Sequence, residues 1–123
     1  MSDKVRKLKE EMIKVYGLKC WINELWIPNK KNILTYHHIL EARNGGKVEW
    51  ENGALLSLYK HNYLNYLDLY YHSIYNELNG LFYNLNRTYA PPTNEYYDEV
   101  KRVLRRIKWQ KKNIKSVDTL IMT

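Results

Sequence analysis

Leu34-Thr35-Tyr36-His37-His38-Ile39, then Gly45-Gly46, then Glu51-Asn52-Gly53-Ala54-Leu55-Leu56 is the stretch that decides the fold. Its first part is dense in β-branched and aromatic side chains, which favour a pleated, half-buried strand. A polar loop over 41–47 carries the glycine pair, and a second β-prone run covers 48–56. The pattern predicts strand, loop, strand. From Ser57 the apolar positions change to helical spacing, through Leu58, Leu64, Leu67, Ile74, Leu78 and Phe82, and continue to Asn86. One long helix, or two joined near Gly80, should follow the strands.

Upstream, residues 4–16 place Val5, Leu8, Met12, Ile13 and Val15 among charges with a helical period, and Gly17 stands where a helix would be capped. A leading amphipathic helix is expected. Between Leu18 and Pro28 that rhythm is lost, Trp21 and Trp26 appear, and Pro28-Asn29 reads as a turn, so a short strand or hairpin arm is expected. Downstream, Ala90-Pro91-Pro92 breaks the chain, and Thr93 or Asn94 can cap a last helix. That helix carries Val100, Val103, Leu104 and Ile107 on one side; the other bears Lys101, Arg102, Arg105, Arg106 and Lys108, continued by Lys111 and Lys112. Such a face is either simply solvated or laid against phosphates. The expected organisation is one α+β domain: an N-terminal helix over 1–17, a core over 18–65, a helical extension over 66–89 and a basic C-terminal helix over 94–115.

Composition narrows the function classes. The 123 residues suffice for one domain, and 45% hydrophobic with 27% charged residues excludes a disordered tail or fibrous repeat. No apolar stretch approaches the roughly 18–20 residues of a membrane span, and the charged first ten residues are unlike a secretion signal. A cytoplasmic protein with no membrane partner is expected. The single cysteine, Cys20, cannot form an intrachain disulfide or a multi-cysteine zinc cage, and reads as a small buried side chain. A net charge of +7 suits a polyanionic partner such as nucleic acid. Twelve tyrosines against one phenylalanine suit a small core whose ring edges reach water or a nucleic-acid surface.

Three of the four histidines, His37, His38 and His61, lie within 25 residues. Neighbours on a strand point to opposite faces, so His37 and His38 should have different jobs. One imidazole can hold a metal while the other turns to a substrate as general base. His61 and Asn65 are four apart, which on a helix sets both on one face, able to approach one ion. Each has an ordinary alternative: Asn52-Gly53 is a common turn signal, Asn65 can be a polar helix residue, and His72 reads as structural or exposed.

A His-His pair at a strand end, a Gly-Gly loop, an Asn-x-x-Leu-Leu segment and a His nine residues after that Asn together resemble the HNH nucleases. The resemblance covers residues 18–65 and implies a ββα-metal core, a two-stranded hairpin plus helix, flanked by additional α-helices. It implies an endonuclease hydrolysing phosphodiester bonds in DNA, with RNA a lesser variant, around one divalent ion, Mg, Mn, Ni or Zn. It points to His37 as metal ligand and His38 as the base that activates water. Asn52 would brace the loop and position the base, and His61 with Asn65 would complete the metal site. Arg43, Lys47, Lys101, Arg102, Arg105, Arg106 and Lys108 are the expected nucleic-acid contacts, and Glu41 is a candidate partner behind the ligands. Many HNH proteins carry two Cys-x-x-Cys pairs for a structural zinc. Here those places hold Cys20 with Asn23 and Ser57 with Lys60, so no structural zinc is expected. The loss leaves a second reading, a catalytically inactive HNH-like module of a phage or mobile element that binds nucleic acid or protein. The tyrosine-rich helix over 63–83 offers a homodimer contact or packs against the terminal helices.

Overall fold

The computed structural model describes residues 2–23 and 34–122, with side chains of the last helix through residue 108. Helix α1 (Asp3–Tyr16) opens on Ser2, whose hydroxyl accepts from the Val5 N–H at 3.2 Å, and ends at Gly17 as its sequence implied. Strand β1 (Leu34–His38) pairs antiparallel with β2 (Gly53–Ser57), in a register that sets Tyr36 opposite Leu55 and His38 opposite Gly53. Helix α2 (Leu58–Tyr70) leaves β2 directly, and α3 (His72–Asn86) and α4 (Asn94–Met122) complete the chain. Among the described residues the architecture is thus a small α+β fold, a two-stranded hairpin with four helices.

Both faces of the hairpin are covered. On one, the Tyr36 ring and Met12 of α1 close over Gly53. On the other, His37 lies against Phe82 of α3, with ring centroids 5.8 Å apart. Leu34, Ala54, Leu55 and Leu56 are all fully buried for this reason, and the run over 54–56 is continuously apolar rather than alternating. Residues 18–23 form no regular strand, but the Trp21 N–H donates to the Leu55 carbonyl at 2.8 Å and ties this segment to β2. The rest of the expected arm, with the Pro28-Asn29 turn, lies outside the described residues.

Three boundaries differ from expectation. The second strand begins at Gly53 rather than 48, because Trp50–Asn52 close a tight 3-10 turn. Asn86, at the end of α3, fixes that turn by donating to the carbonyls of Trp50 at 2.6 Å and Gly53 at 2.8 Å. The helical stretch breaks at Tyr71 (φ −142°, ψ 58°), and Gly80 sits inside α3. Unbroken, residues 58–86 would form a rod about 43 Å long. The break instead folds α3 back over the hairpin, so that Ile74, Leu78 and Phe82 join the core that Leu64 and Leu67 occupy. The last helix, capped by Thr93 Oγ1 on the Tyr96 N–H at 3.1 Å, runs on past 115 to Met122. It packs on α3 through Val100, Val103 and Ile107, while the Tyr97 hydroxyl donates to the Cys20 carbonyl at 2.7 Å. No helix among the described residues is long and apolar enough to cross a membrane.

Candidate functional site

The site is built on the loop that joins the two strands, and Asn52 holds that loop from inside. Its Oδ1 accepts from the Leu40 N–H at 2.7 Å, and its Nδ2 donates to the carbonyls of Leu40 at 2.9 Å and Lys47 at 3.0 Å. Asn52 is buried, so its own amide, which water does not reach, is satisfied by these backbone groups. The glycine pair makes the path feasible. Gly45 takes a left-handed φ of 91°, and a Cβ on Gly46 would stand 1.7 Å from the Leu40 carbonyl oxygen. Asn52 therefore braces the loop, and its link to His38 runs through the Leu40 backbone, two residues further along.

At the end of β1 a cavity of about 350 Å³ opens, lined by His37, His38, His61 and Asn65 and edged by Glu41, Arg43, Asp68 and Tyr75. His37 enters from the buried face of β1. His61 comes from the first turn of α2, a turn fixed by Ser57, whose Oγ accepts from the Lys60 N–H at 3.2 Å. Asn65 follows one turn later on the same helix face. The His37 and His61 rings stand 5.6 Å apart and nearly perpendicular. Two imidazoles that share one ion, each with a nitrogen 2.0–2.1 Å from it, have centres about 5 Å apart. His38 packs edge-on against Tyr36 at 5.1 Å and keeps a partly exposed ring at the cavity.

Electrostatics favour neutral imidazoles. Burial pushes His37 down to about 4, and burial with His38 nearby lowers His61 as well, so both carry lone pairs at pH 7, the form that ligates a metal. The Thr35 hydroxyl donates its one proton to the Leu56 carbonyl at 2.8 Å and must accept from His61 Nδ1 at 2.7 Å. His61 Nε2 is thereby left with its lone pair. His37 Nε2 meets Asn79 Oδ1 of α3 at 2.8 Å. One turn before Asn79 on α3, the Tyr75 hydroxyl donates to Glu41 Oε1 at 2.7 Å. That bond, above all, holds the Glu41 carboxyl below its usual range, and burial followed by the same bond pushes Tyr75 up to about 12.

The donor set fits a divalent ion in part. Among the described residues no three histidine, cysteine, aspartate or glutamate side chains are grouped to hold one. Two neutral imidazoles and the Asn65 amide would be the protein's share of such a site, with the remainder coming from water and substrate oxygens as at open catalytic sites.

Of the expected nucleic-acid contacts, Arg43 pairs with both Glu41 and Asp68 at the cavity edge, and Lys47 is exposed on the loop. On α4, Arg102 pairs with Glu99 at 2.8 Å and Arg106 with Glu77 at 2.6 Å, while Lys101, Arg105 and Lys108 are exposed. His72 is exposed, its Nδ1 3.0 Å from Asp68 Oδ1, and Cys20 is buried.

The sequence assigns no role to Thr35, Tyr75 or Asn79. Asn79 carries a legible signal all the same: it shares a helical stripe with Tyr75, Leu78 and Phe82, and an amide on a buried stripe needs a buried partner. Comparison with known proteins leaves the geometry to stand alone, for no family model, curated protein or solved structure matches the chain.

Proposed function

We propose that the chain is a metal-dependent HNH-type endonuclease that hydrolyses phosphodiester bonds in DNA. His37, His61 and Asn65 hold one divalent ion, Mg, Mn, Ni or Zn, and His38 is the general base. The observation that carries this reading is the meeting of a strand imidazole and a helix imidazole 5.6 Å apart in a cavity that a third imidazole also lines. When bound, the ion supplies neutralisation of the charge that gathers on the phosphate and on the leaving oxygen. His38 takes a proton from the attacking water, which its position on the cavity wall allows. Asn52 keeps the loop, and so the end of β1, in one geometry. Arg43 reaches a phosphate only by exchanging its pairing with Glu41 and Asp68.

Supercoiled plasmid, incubated with Mg²⁺, Mn²⁺, Ni²⁺ or Zn²⁺, tests the reading. Wild type nicks it; His38→Ala lowers the rate by at least about 100-fold, with fold and DNA binding nearly intact. Equal cleavage by the variant rejects His38 as the base. A second reading, a nucleic-acid-binding module that does not cut, is favoured by one observation: His37 is buried and hydrogen-bonded to Asn79, as a purely structural histidine would be. Wild type that shifts DNA at several salt concentrations yet nicks none with any of the four ions supports that module instead.

A further inference from the structure

Two hydrogen bonds, from the Tyr75 hydroxyl to Glu41 Oε1 at 2.7 Å and between His37 Nε2 and Asn79 Oδ1 at 2.8 Å, lead from the cavity edge to the buried face of β1, and Tyr75 and Asn79 stand one turn apart on α3. Their direction follows from what each group can give. An ionised carboxylate only accepts, so the Tyr75 hydroxyl proton lies toward Glu41 Oε1. The Tyr75 oxygen, its proton committed, can only accept, so the neighbouring Asn79 amide suits it best with the NH2 on that side, and Oδ1 is the atom that meets His37 at 2.8 Å. A carbonyl oxygen accepts only, and His37 Nε2 must then carry the hydrogen. The one lone pair left on that ring is at Nδ1.

We propose that Asn79 and Tyr75 are positioning residues that lock His37 as its Nε2–H tautomer and so present Nδ1 to the divalent ion. The inference rests on the metal site proposed above and extends it to helix α3, outside the hairpin-and-helix core. Ligating histidines whose second nitrogen donates to a carbonyl have a fixed tautomer and ring orientation, and loss of such a partner typically weakens metal binding about 10–100-fold. His61 is fixed in the opposite sense, with Nδ1 donating to Thr35 and Nε2 left open. The two ligands therefore have different tautomers, each set by the acceptor that one of its ring nitrogens meets.

Long-range ¹H–¹⁵N correlation spectra of metal-free protein labelled at histidine nitrogens read the tautomer directly. Wild type is expected to show a pyrrole-type Nε2 and a pyridine-type Nδ1 on His37. Tyr75→Phe frees the amide to turn over and is expected to give a mixed tautomer; Asn79→Leu removes the lock entirely. Titration of the same proteins with Ni²⁺ and Mn²⁺, followed calorimetrically, is expected to show a loss of about 10–100-fold for Asn79→Leu and a smaller one for Tyr75→Phe. If Asn79→Leu does not fold, Tyr75→Phe carries the test alone. A pyrrole-type Nδ1 in wild type, or variants that bind metal as tightly as wild type, overturns the proposal. Wild type with the expected tautomer that binds neither ion overturns the metal site itself and leaves the lock standing, so the two failures are distinct.

Discussion

Asn52 makes three part-buried hydrogen bonds to the loop around it, tying the backbone of Leu40 to that of Lys47. Asn52→Ala removes the partner of the Leu40 N–H and of the Leu40 and Lys47 carbonyls, groups that water replaces only in part, so it should cost about 2 kcal/mol, seen as a lower urea midpoint with unchanged slope. An undisturbed midpoint would show that the loop has other support. His37 sets the response to acid. Its folded value near 4 lies below the ordinary 6.5, so between those limits the native state binds fewer protons than the unfolded chain. Stability is then full above the unfolded value and is lost as pH falls toward 4, by roughly 3 kcal/mol if His37 acts alone. Metal-free wild type followed by urea unfolding from pH 7 to pH 4 should show this decline, and His37→Gln should flatten it. A wild-type profile flat across that window would contradict the burial of a neutral ring.

Helix α2 delivers His61 from its first turn, so the cap of that helix bears on the site. Ser57→Ala removes the acceptor of the Lys60 N–H and should cost about 1 kcal/mol, with faster amide exchange confined to the first turn of α2. Exchange that rises evenly along the helix would place the loss elsewhere. The same elements show what the sequence can tell. The glycine pair, Asn52 and the histidine spacing are legible because each answers a local demand: a left-handed turn, a loop brace, a shared helix face. Helix α1 with its Gly17 end and the Thr93 cap are legible for the same reason. The break at Tyr71 is not, since Leu67, Tyr71 and Ile74 keep a helical spacing straight through it, and only packing against the hairpin decides where the rod folds. Nor is the bond between Asn79 and His37, 42 residues apart, because its two halves meet only after that fold-back. The start of β2 hides for a related reason: Val48 and Trp50 are β-prone, but Asn86 from α3 holds residues 50–52 in a turn.

Across the whole molecule the excess of seven positive charges is unevenly placed. Arg106 pairs with Glu77, and Glu77 is two residues from both Tyr75 and Asn79, about 200° round α3 from each. Arg106 thus lies across α3 from the cavity, a helix about 10–12 Å wide, which a duplex spans and a single nucleotide does not. A polyanion on both surfaces would meet cations of two kinds. Arg102 and Arg106 already have carboxylate partners, which a phosphate must displace, whereas Arg105 and Lys108 stand exposed on the same helix. Removing one cation from a phosphate lowers the slope of log affinity against log salt by about 0.9–1. Replacing Arg105 and Lys108 together by glutamine should therefore reduce the slope for duplex DNA by nearly two, measured by fluorescence anisotropy over a salt series. Arg102→Gln with Arg106→Gln should change it less, because Glu99 and Glu77, released from their partners, already oppose the phosphate in the wild type. A slope indifferent to the Arg105 and Lys108 changes would take α4 out of the interface and leave the cavity edge, with Arg43 and Lys47, as the surface of this reading still in play.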